Sequence, residues 1–183
     1  MGTPLEVENK VVRWLTKEVL TFLPKLSPNL RKEIVENLWE IIHNGLVHGE
    51  GEFGVSVCGQ FYPQMGYFEV AFSDLGHGIP KLVHDFGAVP PSSCDADCVA
   101  WAVEKGHSTR PFSESAGLGL YLLREFLSIN GGAFQLVSGD GYFGQVGPTD
   151  STIITLRNPI QGTLVNIRVV FNDHLYRIKG EEL

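Results

Sequence analysis

What most limits the fold of this chain is the order in which two kinds of hydrophobic spacing follow one another. Residues 7 to 23 are spaced as a helix, with Val11, Trp14, Leu15, Val19 and Phe22 near one face and Pro24 as the stop. Ser27 then Pro28 reads as an N-cap and a first helical position, opening a second helix that runs to about His48. The spacing then switches to two-residue alternation. "FGVSVCGQFY" and "GYFEVAFSD" are rich in β-branched and aromatic residues and predict two strands, turned at Pro63-Gln64-Met65-Gly66. A loop-rich stretch from Leu75 to Ala116 has room for short helices. "GLGLYLLREFLSING" predicts a helix entered through glycines and closed at Asn130-Gly131-Gly132. Three more strands are expected in "AFQLVSG", "STIITLR" and "TLVNIRVVF", and a peripheral charged tail after Phe171. Helices, a strand pair, a long loop, a helix and late strands together predict an α+β fold, with helices on one face of a mostly antiparallel sheet.

At 183 residues the chain suits one domain with a short appendage, large enough to fold without staples. Its 14 Lys and Arg stand against 21 Asp and Glu, which argues against a nucleic-acid backbone as ligand. A small anion held by backbone amides remains compatible with that balance. The three cysteines, Cys58, Cys94 and Cys98, fit a reducing compartment better than a disulfide framework. The first residues lack an apolar signal core, and no apolar run approaches membrane length. A cytoplasmic protein with no membrane or nucleic-acid partner is the expectation.

Four stretches carry chemistry. In "NLWEIIHNGLVHGE", Glu40, Asn44 and His48 recur at four-residue spacing, which drifts only about 40° per step on a helix. They form one slanting column, with Asn37 beside it and Ile34, Leu38, Ile41 and Ile42 as the adjacent apolar arc. A carboxylate and an amide oxygen one turn apart suit a hard cation or an activated water. In "SDLGHGIP", Asp74 ends a strand, and Gly76 and Gly78 permit close backbone approach. In "GHSTRPFSESAGLGLYLL", Gly117 and Gly119 enter a helix whose free amides and dipole suit a phosphate. Arg110, upstream, is a forked cationic donor for a terminal phosphate. Gly162-Thr163 opens a late strand and says nothing alone.

In order and spacing the four resemble the GHKL ATPase superfamily, which holds gyrase-type topoisomerases, a heat-shock chaperone class, histidine kinases and mismatch-repair ATPases. E-x-x-x-N-x-x-x-H-G resembles its N box, D-x-G-x-G and G-L-G-L its two glycine boxes, and the late Gly-Thr its last motif. The match runs from about residue 30 to 171. The resemblance implies a two-layer α/β sandwich of the Bergerat ATP-binding type, its helices packed on one face of a mixed, mostly antiparallel sheet. It also implies a domain over residues 29–173, after a helical extension at 1–28 and before a charged tail at 174–183. ATP and Mg²⁺ are the implied cofactors. Glu40 would be the general base, Asn44 the Mg²⁺ ligand, and Asp74 the acceptor for the adenine amino group. Gly76 and Gly78 would let the backbone pass the nucleotide. Gly117, Leu118, Gly119 and Leu120 would offer amides to the phosphates, and Thr163 would support the adenine end. His48, Ser108, Thr109 and Arg110 complete the implied nucleotide contacts. Residues 80–116 would be a mobile ATP lid.

Within the superfamily, histidine kinases commonly carry Asn where this chain has Glu40, and no His precedes His43 as a phospho-acceptor. The helix motif looks like that of the small anti-sigma-factor serine kinases. This implies transfer of the γ-phosphate to a small regulatory partner, of the antagonist or sigma-factor type, and a homodimer is compatible with it. The extra first helix, the longer lid and the insertion "SGDGYFGQVGPTDSTIITLRNP" depart from those kinases. A nucleotide-gated interaction module, or a slow ATPase, is the second expectation. A metal or redox site at Cys94 and Cys98 with His84 and His107 is the third, although Cys-x₃-Cys is not a usual zinc spacing. Cysteines on a short helix are the simpler expectation there, and packing the simpler one for Trp14, Trp39 and Trp101. His43, His77 and His174 are expected at the surface or an edge.

Overall fold

The computed structural model describes residues 4–23, 25–48, 54–109, 119–178 and 180. Pro24, Gly49, Arg110, Gly117 and Leu118 therefore lie outside the described residues, as do the side chains of Phe22 and His48.

The first helix, α1 (Pro4–Trp14), continues through a wider π turn over Leu15–Val19 and a tight 3₁₀ turn over Leu20–Phe22. Thr16 Oγ1–H donates to Val12 O at 2.8 Å and Thr21 Oγ1–H to Lys17 O at 2.6 Å, back-bonds that accompany such irregular turns. Leu15, Val19 and Leu20 turn into the core, whereas Trp14, expected on the buried face, is exposed.

Two residues of β1 (Lys25–Leu26) lead to α2 (Pro28–His48). Its cap is the expected one: Leu30 N–H donates to Ser27 Oγ at 3.2 Å. Ile34, Leu38 and Ile42 are buried along it. The hairpin of β2 (Val55–Tyr62) and β3 (Tyr67–Asp74) also lies where alternation placed it, and the N–H groups of Met65 and Gly66 both donate to Tyr62 O in its turn. Next come α3 (Gly78–Phe86), α4 (Asp95–Ala102) and α5 (Gly119–Asn130). Gly131, at φ 77°, closes α5 in a left-handed cap, with Gly132 N–H on Leu127 O at 2.9 Å.

The late region differs from expectation. Three strands were predicted, and two long ones form: β4 (Ala133–Val146) and β5 (Asp150–Val170). The insertion at 138–159 is no separate element. It prolongs both strands into a ribbon, with Gly141 opposite Thr155 and Val146 opposite Asp150, beyond a register shift at Gly139–Gly141. Glycine is needed at that shift because a Cβ on Gly141 would sit 2.5 Å from Asp95 O in α4. β4 curls there, so that Gly147 N–H donates to Gly132 O at 3.0 Å.

The sheet order is β2-β3-β5-β4, antiparallel throughout, so the expected mixed character is absent from it. Parallel pairing occurs only where β1 meets the short β6 (Leu175–Tyr176), among the described residues. In that pair Tyr176 packs edge-on against Phe126 at 5.5 Å and its hydroxyl accepts from Asn172 Nδ2 at 2.8 Å, while its neighbours His174, Leu175 and Arg177 are exposed.

One sheet face carries Phe68, Val70, Phe72, Phe134, Leu136 and Ile167, all buried against α2, α5 and the end of the first helix. Each such side chain contributes about 1.5–3 kcal/mol by leaving water. The other face bears cross-strand polar pairs. Arg168 donates to Glu69 Oε1 at 2.7 Å and Asn166 Nδ2 to Gln135 Oε1 at 3.1 Å, and both pairs sit opposite each other in register. The chain is thus α+β, with helices on one face of an antiparallel sheet. Among the described residues no helix is long and apolar enough to cross a membrane.

Candidate functional site

A cleft opens where α2, the end of β3, α3, the end of α4 and the start of α5 meet over the sheet. Its empty space is about 1080 Å³, the open mouth included. Most of its wall is apolar, supplied by Ile41, Phe72, Ile79, Leu82, Leu136 and Val165.

Glu40 and Asn44 both line it, one helical turn apart, as their spacing predicted. What brings them there is Gly45, which sequence reasoning missed. A Cβ at Gly45 would lie 2.6 Å from Val55 Cγ2 and 3.1 Å from Asp74 Cβ, so only glycine lets α2 settle on the hairpin beside Asp74. A glycine inside an amphipathic helix, costly at about 1 kcal/mol, was the available signal. His48 ends α2 by its backbone. Asn37, beside the column, is buried and not in the cleft wall.

The sheet end of the cleft is built around Asp74. Its Oδ1 accepts the Gly76 N–H at 2.8 Å, an Asx turn that redirects the chain out of β3. Thr163 lies directly opposite Asp74 in the β3–β5 register, and both line the cleft. Gly78 and Gly162 both have φ 77°. A Cβ on Gly78 would meet Ser138 Oγ at 2.8 Å and Gly162 O at 3.0 Å, and one on Gly162 would collide with Asp74 O. Their glycine character is thus required by protein contacts, where the resemblance assigned Gly78 to nucleotide approach; Gly78 lines the cleft as well. The clamp across these turns is Ser138, fully buried: its hydroxyl donates to Gly162 O and accepts from Ile79 N–H, both at 2.8 Å. No pattern in the sequence marked Ser138, a short polar residue in a strand.

The opposite end is formed by the stretch expected as a lid, described here as far as residue 109. Most of residues 80–116 is packed structure among the described positions. Pro80, Val83, Ala96, Cys98, Val99 and Val103 are buried, and α4 lies against β4. From Val103 the chain runs back along α5. Val103 O accepts from Arg124 Nη1, and Lys105 Nζ sits 5.4 Å over the Tyr121 ring. His107, Ser108, Thr109 and Leu120 then reach the cleft. Ser108, Thr109 and Leu120 were expected there; Gly119 opens α5, and Arg110, Gly117 and Leu118 are outside the described residues. Trp101, expected only to pack, also lines the cleft and stacks on His107 at 4.6 Å and 14°.

The alternative at the cysteines finds no support. Cys98 is buried with Sγ 3.4 Å from His84 Nε2, and burial, then Asp95 and Asp97, pushes its thiol up to about 11, against the thiolate a metal requires. His107 is held at Trp101 instead, and among the described residues no group of three or more His, Cys, Asp or Glu is placed to hold a metal. Magnesium needs no such group, since it keeps waters and ligand phosphates in its shell. The Asn44 amide and Glu40 carboxylate are oxygen donors of the right hardness, and Gly78, Asp74 and Thr163 line the sheet end of the cleft. These residues fit Mg²⁺ and a nucleotide. No protein-family model matches the chain, and no curated protein matches it.

Proposed function

We propose that this chain is a GHKL-type nucleotide-binding protein of Bergerat architecture. It takes Mg·ATP into the cleft and passes the γ-phosphate to a hydroxyl of a small regulatory partner protein, as a serine/threonine kinase of the anti-sigma-factor type. One observation carries this reading: four stretches far apart in sequence send Glu40 and Asn44, Asp74 and Gly78, Ser108 and Thr109, and Thr163 to one cleft.

Bound Mg²⁺ would neutralise phosphate charge and fix phosphate geometry, and Asn44 would hold it. Asp74, with Oδ1 already engaged by Gly76, would accept from the exocyclic amino group of adenine, which a guanine lacks at that position. Glu40 would take the proton of the incoming hydroxyl, a poor nucleophile until a positioned base removes it. Thr163 would steady the base from the neighbouring strand, and the amides at the start of α5 would face the phosphates.

Calorimetric binding of ATP, ADP and GTP, each with and without Mg²⁺, tests this. Expected is Mg²⁺-dependent binding selective for adenine. In Asn44→Ala the Mg²⁺-dependent part should disappear, while the melting temperature stays within a few degrees, because a ligand and not a core contact is removed. Unchanged Mg·ATP affinity in the folded variant rules out Asn44 as the metal ligand. Binding with no phosphate passed to protein would favour a nucleotide-gated module.

A further inference from the structure

Among the described residues that line the cleft, the ionisable ones are Glu40, Asp74 and His107. A polyphosphate entering such a cleft meets two carboxylates, and His107 is the one group of the three that can carry positive charge. Its placement is specific. From Val103 the chain tracks α5 toward that helix's amino end, by way of the Val103–Arg124 and Lys105–Tyr121 contacts, and His107 shares the cleft with Leu120 of the first turn of α5. Unpaired amides at a helix start favour an anion.

The ring is also oriented. His107 Nδ1 lies 2.8 Å from Trp101 O, and a carbonyl only accepts, so Nδ1 carries the hydrogen. The other nitrogen, Nε2, is then the one that gains and loses a proton. Stacking on Trp101 fixes the ring plane, and Glu104 Oε2 stands 3.5 Å from Nδ1. Among the described residues, the other charged groups near it are accounted for. Lys105 sits over Tyr121, Arg124 is engaged by Gln145 Oε1 and Val103 O, Asp95 and Asp97 lie at the far end of α4, and Glu40 and Asp74 line the cleft wall.

We infer that His107, in its protonated form, binds the phosphate end of the nucleotide through Nε2–H, so that nucleotide affinity rises as pH falls. This rests on the ATP reading of the cleft. An anion that prefers the protonated ring favours proton uptake on binding, so the gain in affinity is lost as pH rises.

Two measurements test it. Calorimetry at about pH 5.5 and about pH 8 would compare Mg·ADP with adenosine, in the wild type and in His107→Gln. The wild type should gain roughly tenfold in Mg·ADP affinity at the lower pH, beyond any change seen in the variant, while adenosine stays flat in both. NMR titration of the His107 ring in the unmodified protein should show its midpoint rise by about one unit on adding Mg·ADP, the same tenfold effect seen by linkage. Nucleotide binding with equal pH dependence in wild type and variant, or an unmoved His107 midpoint, overturns the inference and leaves the ATP site standing. No nucleotide binding at either pH overturns the ATP reading, and this inference with it.

Discussion

At the sheet end of the cleft, Asp74, Gly78, Ser138 and Gly162 touch through backbone atoms and one buried hydroxyl, with no room for a single added carbon. At the loop end, His107 is placed by its stack on Trp101 and by contacts to Trp101 O and Glu104, on a chain segment that follows α4. The first arrangement leaves no space around its turns; the second is held through side-chain contacts. A rigid end suits reading the edge of a base, where a misplaced acceptor loses selectivity. An adjustable end suits phosphates, which change in number and charge through a reaction cycle. Glu40 and Asn44 sit on the helix between them.

The sharpest way to break this comparison is at its middle. Glu40→Gln should lower turnover roughly 10²–10⁴-fold with ATP affinity kept, since only the proton acceptor is lost; normal turnover would remove Glu40 from the chemistry. The rigid end comes next. Gly162→Ala should cost about 3 kcal/mol or more, combining strain at positive φ with overpacking against Asp74. A denaturation midpoint within error of wild type would show that this end yields after all. Ser138→Ala should cost less, about 2 kcal/mol, because two buried backbone groups lose their shared partner while the packing persists. Nucleotide affinity should fall with it, since Ile79 and the Asp74 turn lose their anchor. A stable variant with intact affinity would make Ser138 a bystander.

What was legible in the sequence is what depends on near neighbours. The Ser27 cap, the Glu40–Asn44 spacing and the β2–β3 turn each follow from a handful of adjacent residues, and each stands as read. What was not legible depends on distant ones. "SGDG" looks like a turn because its glycines permit one. In the structure Gly139 and Gly141 are glycines because α4 lies against them, and the strand continues through. Pro159, just past the predicted strand "STIITLR", sits in an exposed part of β5 beyond its pairing with β3, where an N–H is not required. Trp101 and His107 gave no periodic signal toward the cleft, since they reach it from a helix end and a loop. On the first helix, Val11, Leu15 and Val19 face the core as their spacing predicted, and Trp14 alone of the described side chains departs, at the point where the helix widens.

The strand order also sets a schedule for the chain as it is made. β5, the last long strand in sequence, is inserted between β3 and β4, both synthesised before it. Until it leaves the ribosome, β3 has only β2 to pair with and β4 has no neighbour in the sheet. Asp74 waits for a cross-strand partner, Thr163, that is encoded far downstream. The cleft is therefore completed in one late event, and a truncated nascent chain displays open strand edges in place of a binding site.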